Sequence, residues 1–396
     1  MQQNYFDVKT VRKDTRACEK LIHFNNAGSS LMPVPVSDIL HEYLDYEEQL
    51  GGYETAQLKA AILDNFYTAA AKLLNCKESE IAFTENATRA WAMVFYSFEF
   101  KPGDKILTTI SEYGSNIIAY LQQAKRYGVE IVFVPDDNKG QIDTKALEAM
   151  IDHKVKLISI SHIPTSCGLV NPVKKVGEIA NAANIPFLLD SCQAVGHVEI
   201  DVNDIGCDFL SGTGRKYLRG PRGTGFLYVK ESWIEKLTPP LLDQRSADLL
   251  TPSQYTLHSD ARRFETWECN FAGKAALGVA IDYALRIGIK NIETRIIHLS
   301  QYLRSKLSPI PGITLLDIGR EKCGIVSFYS ASKSCSEIRS FLHTKKINVS
   351  TPGRMGNPVL FDQRGISQLV RASIHYFNTE EEIDKMVDVL KIFLKA

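Results

Sequence analysis

The sequence carries no net charge, since 46 lysines and arginines stand against 46 aspartates and glutamates. That balance removes the electrostatic footprint of a protein that binds nucleic acid or an anionic membrane. No apolar run approaches the ~18 residues of a membrane span, and the opening stretch MQQNYFDVKTVRKD lacks the apolar core of a signal peptide. The eight cysteines include no C-x-x-C pair and no paired metal-ligand spacing. G-x-x-x-x-G-K-[ST] and G-x-G-x-x-G are both missing, so the common nucleotide loops do not explain the glycine-rich segments. Repeats and low-complexity tracts are missing as well. What remains is the expectation of a cytoplasmic protein with reduced thiols, Cys192 and Cys207 sitting in apolar, strand-like surroundings. At 396 residues the chain is long enough for two domains.

The most informative stretch is Ile185 to Val229. An apolar strand ends on Asp190, a second strand, CDFLSG, runs into Gly-Thr-Gly-Arg-Lys, and a third, GTGFLYV, follows. This puts a carboxylate and Lys216 at one edge of a sheet, where open α/β sheets bind ligands. Lysine beside small residues there can form a Schiff base or clamp a phosphate, and can equally be a solvated surface charge.

Elsewhere the pattern alternates strand and helix. Residues 36 to 74 read as two helices parted by Gly51-Gly52, and strands are expected at 80–83, 105–110, 130–135 and 155–161. The loops after those strands are polar. Thr84 to Thr88 opens a helix whose free N–H groups suit a phosphate, unless Asn86 and Thr88 are simply caps. Tyr113 follows the next strand and can stack on a flat ring or pack. His23 to Ser30 is a small-residue turn that lets backbone approach a ligand or merely connects. Arg371 lies within an apolar strand, which is costly unless the guanidinium is paired.

The fold expected is α/β: a large domain, 23–262, with a mainly parallel sheet, then a smaller α+β domain, 263–396, after an N-terminal arm, 1–22. The stretch 239–262 reads as a long loop.

Taken together, these segments resemble the class V aminotransferase-type enzymes, the fold-type I group that includes cysteine desulfurases, selenocysteine lyases, kynureninase and isopenicillin N epimerase. The resemblance covers nearly the whole chain and implies pyridoxal 5′-phosphate (PLP) as cofactor. It implies a large domain with a seven-stranded type of sheet and a homodimer whose sites are completed by a neighbour. Residue by residue, it implies that Lys216 forms the Schiff base and removes the substrate Cα proton. Asp190 pairs with the pyridine nitrogen, Gln193 reaches the ring oxygen, and Thr165 donates to that oxygen or touches substrate. Tyr113 stacks on the ring. Asn86, Ala87 and Thr88 match the phosphate turn, with Thr213 and Arg215 beside Lys216 as further phosphate ligands. Asn26 and Gly28, with Ala27, would touch substrate, and Arg371 would hold its α-carboxylate. Relatives carry asparagine at Thr165, histidine at Arg215 and "GT" at Trp267-Glu268, so the last contact does not transfer.

Desulfurases carry a mobile cysteine in a small-domain loop. The corresponding stretch here, Ser350 to Pro358, contains neither cysteine nor histidine, which disfavours persulfide formation. GGYETAQ, TENATRAW, SEYGSN and RRFETWE are most similar to the branch of epimerase-like and hercynylcysteine-sulfoxide-lyase-like proteins. The resemblance therefore implies β-elimination from a sulfur- or selenium-bearing amino acid, with transamination, epimerisation and, last, a non-catalytic PLP-binding role as alternatives.

Overall fold

The structure is a computed structural model that describes residues 7–395. A two-residue strand, β1 (Ile22–His23), precedes the apolar runs that build the main sheet. These are β2 (Ile81–Thr84), β3 (Lys105–Thr109), β4 (Glu130–Val134), β5 (Val155–Ser161), β6 (Phe187–Asp190), β7 (Phe209–Thr213) and β8 (Gly225–Val229). They lie in the order β2-β8-β7-β6-β5-β3-β4, with β3 to β7 paired in parallel. β8 runs antiparallel between β7 and β2.

The near-continuous apolar character of these strands follows from burial on both faces. Side chains alternate across a strand. Phe187, Leu189, Leu210, Phe226 and Tyr228 therefore join one core, while Leu188, Phe209, Leu227 and Val229 join the other. Helices cover both faces. Residues 36–74, expected as two helices, form three: Val34–Leu50, Gly52–Leu58 and Ala60–Leu74. The chain turns at Gly51, whose φ of 97° is open to glycine at little cost.

The expected loop 239–262 contains a hairpin, β9 (Ala247–Thr251) and β10 (Gln254–Leu257). Exposed Leu249 and Tyr255, paired across the hairpin, share one face and exposed Leu250 lies on the other, so apolar side chains stand without intramolecular packing on both. The C-terminal part carries β11 (Ile313–Leu315), β12 (Ile325–Ser330), β13 (Ile347–Asn348) and β14 (Val370–Ser373). β11, β12 and β14 make an antiparallel sheet. Helix Glu380–Lys395 buries Ile383, Met386, Val387 and Leu390 in the core it shares with β12 and β14. Its start is a reciprocal cap. The Thr379 hydroxyl accepts from Glu382 N–H, and the Glu382 carboxylate accepts from Thr379 N–H.

Of the arm 1–22, residues 1–6 lie outside the described residues. Arg12 is held by Glu382, and β1 pairs in parallel with β13, so this segment packs with the C-terminal unit. Helix Phe271–Ile287 packs instead on Val34–Leu50 and Ala60–Leu74 of the large unit. It approaches so closely that a Cβ on Gly278 would lie 3.2 Å from the Phe66 backbone. We propose that the change between units falls at Gly288, between helices Phe271–Ile287 and Ile289–Leu307.

Candidate active site

β5, β6 and β7 end side by side, with Ser161 registered on Asp190 and Asp190 on Ser211. The loops leaving β2, β3, β5, β6 and β7 enclose a cavity of about 350 Å³. Ten of the expected cofactor residues line it together: Asn86, Ala87, Thr88, Tyr113, Thr165, Asp190, Gln193, Thr213, Arg215 and Lys216. Ser161, Ile163 and Cys192 line it too. Sequence reasoning assigned no role to these three, although Cys192 sits between Asp190 and Gln193.

The side chains are held in place by hydrogen bonds. Asp190 is buried, with Oδ1 accepting from Cys192 N–H at 3.0 Å and Oδ2 accepting from Asn116 Nδ2 at 3.1 Å. Gln193 Nε2 donates to Ala27 O and to Thr165 Oγ1, which orients its Oε1; that buried oxygen has no protein partner among the described residues. Thr165 Oγ1 also accepts from Arg371 Nη1 at 2.9 Å. With both lone pairs engaged, its hydroxyl proton is left to donate elsewhere.

At the other side, Asn86 caps helix Ala87–Phe95 by accepting from Arg89 N–H. The first N–H groups of that helix have no intrahelical acceptor and favour an anion. β8 runs so near this turn that a Cβ on Gly225 would lie 2.7 Å from Asn86 C and 2.9 Å from Ala87 N, which reserves the position for glycine.

The Lys216 side-chain amine makes no hydrogen bond or ion pair among the described residues. Burial lowers its pKa, and Arg215 and Arg371 add to the effect. A larger share of the amine is therefore neutral and nucleophilic. Arg215 donates to Gly28 O. Gly28 thus borders the cavity by its carbonyl without lining it.

Arg371 is buried on β14. It donates to Ser350 Oγ, to Thr165 O and Oγ1, and to Asn25 Oδ1, with no carboxylate opposite among the described residues. Burial pushes its pKa down to about 10, so it remains a cation at neutral pH. A guanidinium desolvated without a counter-ion is suited to a carboxylate ligand.

Asn26 is not brought to the cavity. Its Nδ2 donates to His23 O and Ser373 O, and its Oδ1 accepts from Ser30. Its side chain is fully buried and ties the N-terminal turn to β14, with both its nitrogen and its oxygen already partnered within the protein. His162 is buried, with Nδ1 unpartnered among the described residues. Trp267 is half exposed and borders a different cavity.

The cavity therefore holds one carboxylate, a lysine with depressed pKa, an orphan amide oxygen, a helix N-terminus and Arg215, with Arg371 outside the lining but bonded to Thr165. That donor set fits PLP, with its ring nitrogen, ring oxygen, aldehyde and phosphate. Fold and site together define a fold-type I PLP-dependent enzyme.

Comparison with known proteins agrees. Residues 22–386 match the family described as aminotransferase class-V, and the chain belongs to that family. It is 31% identical over 395 residues to a probable cysteine desulfurase of Pyrococcus abyssi, covering 98% of this chain and 97% of the relative. A probable cysteine desulfurase of Methanothermobacter thermautotrophicus is 30% identical, with 98% of each chain covered. Among solved structures, apo cysteine desulfurase from Thermococcus onnurineus superposes with a TM-score of 0.91 at 28% identity, covering 98% of each chain. These relatives do not confirm the resemblance to the epimerase-like branch.

Proposed function

We propose that this chain is a PLP-dependent lyase that breaks the C–S bond of cysteine or a cysteine derivative by β-elimination. The observation that carries the reading is the pairing of Asp190 and Lys216 at the ends of neighbouring strands, in a cavity whose other charged side chain is Arg215, with Arg371 adjoining. PLP, when bound, supplies an electron sink that stabilises negative charge at the substrate Cα.

The residues divide the remaining work. Lys216 anchors the cofactor and, as a neutral amine, takes the Cα proton. Asp190, with both oxygens oriented, holds a proton at the pyridine nitrogen. Tyr113 covers a ring face, worth about 0.5–1.5 kcal/mol beyond area burial. Thr165 donates its free proton to the ring oxygen, and Gln193 steadies Thr165. The Ala87 and Thr88 amides, Thr213 and Arg215 bind phosphate, and Arg371 receives the substrate carboxylate through its planar fork.

The fate of the sulfur is supported by the loop Ser350–Pro358. Asn357 clamps it to the carbonyls of Ser111 and Glu112, next to Tyr113. A Cβ on Gly356 would come 3.1 Å from the Thr165 methyl. The loop thus sits at the cavity rim and offers no thiol. Elimination consumes the Cα–H and C–S bonds and one water, and yields pyruvate, ammonia and the sulfur leaving group, which is hydrogen sulfide from cysteine, a thiol from an S-substituted cysteine and a persulfide from a disulfide, with no sulfur carried on the loop.

The test is the visible spectrum of purified protein with a panel of amino acids, and assays for pyruvate, ammonia and sulfide. Colour lost on borohydride treatment, with stoichiometric pyruvate and ammonia from a cysteine substrate, is expected. Conversion to the pyridoxamine form, reversed by a keto acid, would replace lyase by transaminase. A homodimer is part of this proposal, supported by the unpacked Leu249, Leu250 and Tyr255 on the β9–β10 hairpin. A cytoplasmic location is proposed on the eight free cysteines.

A further inference from the structure

Glu112 does not line the cavity, yet three of the cavity's walls converge on it. It is fully buried after β3. Its Oε1 accepts from Tyr113 N–H at 2.6 Å, from Ser161 Oγ at 2.6 Å and from Asn116 Nδ2 at 2.9 Å. The same Asn116 nitrogen donates to Asp190 Oδ2 at 3.1 Å. Its Oε2 has a longer contact of 3.2 Å with Thr108 Oγ1. The Glu112 backbone carbonyl also accepts from Asn357, the clamp of the Ser350–Pro358 loop. A buried carboxyl is costly in itself, and here its hydrogen bonds are spent on residues that face the cavity.

We propose that Glu112 is a positioning residue: acting through Asn116, Ser161 and the Tyr113 backbone, it fixes Asp190 and the Tyr113 ring against the PLP pyridine. The inference rests on the PLP reading above. Its physical content is acceptor geometry. Without Oε1, Asn116 loses one of its two acceptors and can rotate away from Asp190, and the Tyr113 N–H no longer sets the start of helix Gly114–Tyr127. Glutamine keeps Oε1 and the side-chain length, so Glu112→Gln preserves the hub and Glu112→Ala removes it.

The experiment titrates wild type, E112Q, E112A and N116A with PLP. Affinity, the position of the visible band and its induced circular dichroism are recorded, with melting of each apoprotein alongside. Losing hydrogen bonds at a charged acceptor predicts that E112A binds PLP about tenfold or more weakly with altered dichroism, and that E112Q stays within about threefold. N116A, which keeps Glu112 but frees Asp190, is expected to shift the band in the direction that E112A does. The double variant should be no worse than E112A, because both act along one path. If E112A does not fold, the comparison of N116A with wild type decides. Wild-type affinity and dichroism in E112A, or in N116A, overturn the inference and leave the PLP reading standing, as does E112Q behaving like E112A. A wild-type protein that takes up no PLP overturns the parent reading, and the inference with it.

Discussion

At the residue scale the site is a matter of who holds whom. The Lys216 amine has no hydrogen-bond partner among the described residues, whereas the side chains of Asp190, Gln193, Thr165 and Arg371 are each oriented by a neighbour. Lys216→Ala is therefore expected to abolish both the borohydride-fixed adduct and pyruvate formation, with the apoprotein's thermal midpoint nearly unchanged. Mass spectrometry of the reduced protein checks it, and an adduct on another lysine would defeat the assignment. Arg371→Gln removes a charge-assisted fork worth about 1.5–3 kcal/mol, so KM for the amino acid should rise roughly 10- to 100-fold, with kcat changing less. Steady-state kinetics at saturating PLP separates the two constants. An unchanged KM would remove Arg371 from substrate binding.

At the element scale, the position of each loop depends on a close backbone approach. Helix Gly114–Tyr127 begins against the Ser350–Pro358 loop, and a Cβ on Gly114 would lie 2.0 Å from Met355 O. Gly114→Ala must push that loop outward. The expected cost is about 1–3 kcal/mol, read as a lowered urea midpoint, with a raised KM because the cavity rim moves. A wild-type midpoint and KM would mean that the loop adapts freely. His197 ties the two units in a similar way. Its Nδ1 lies 2.9 Å from Gln193 O and its Nε2 accepts from Gly324 N–H at 2.8 Å, which sets the tautomer with the proton on Nδ1. The cavity residue Gln193 is thereby connected to the segment that enters β12.

For the molecule as a whole, buried histidines control the response to acid. Burial lowers His197 to about 3 and His162 to about 4, and lowers His23 and His375 as well. In the unfolded chain imidazole takes its proton near 6.5. Between that value and the folded pKa the unfolded state binds more protons. Stability from these groups is thus present above pH 6.5 and is lost as pH falls, by up to about 1.4 kcal/mol per group per pH unit. Glu112, raised to about 7 chiefly by burial, acts with opposite sign, as do Asp136 and Glu293. Their contribution is present at low pH and fades as pH rises through the folded value. The histidines are the larger set, so the urea midpoint of the apoprotein should be lower at pH 5 than at pH 7. An equal or higher midpoint at pH 5 would contradict the balance. In light scattering, the protein should run at twice its 44.3 kDa, and Leu249→Glu with Tyr255→Glu should shift it toward the monomer.

The sequence by itself determined the strands and the chemistry carried on the loops that follow them. Runs such as FLLD and CDFLSG have the apolar continuity of doubly covered strands, and a loop leaving a strand's carboxyl end stays beside that end in any parallel sheet. For this reason Asn86 to Thr88, Tyr113, Thr165, Asp190, Gln193, Thr213, Arg215 and Lys216 could be read as one site before their positions were known. Strand order and domain packing settled the rest. Asn116 meets Asp190 across 74 residues, and Asn26 spends its amide on Ser373, 347 residues away. Helix Phe271–Ile287 joins the large unit because its small residues fit against Phe66, a preference no local pattern encodes. Glu112 looked like one more polar loop residue, since hydrophobic periodicity and turn chemistry are local signals. The hydrogen bonds that give a buried carboxyl its task connect segments that only the folded sheet brings together.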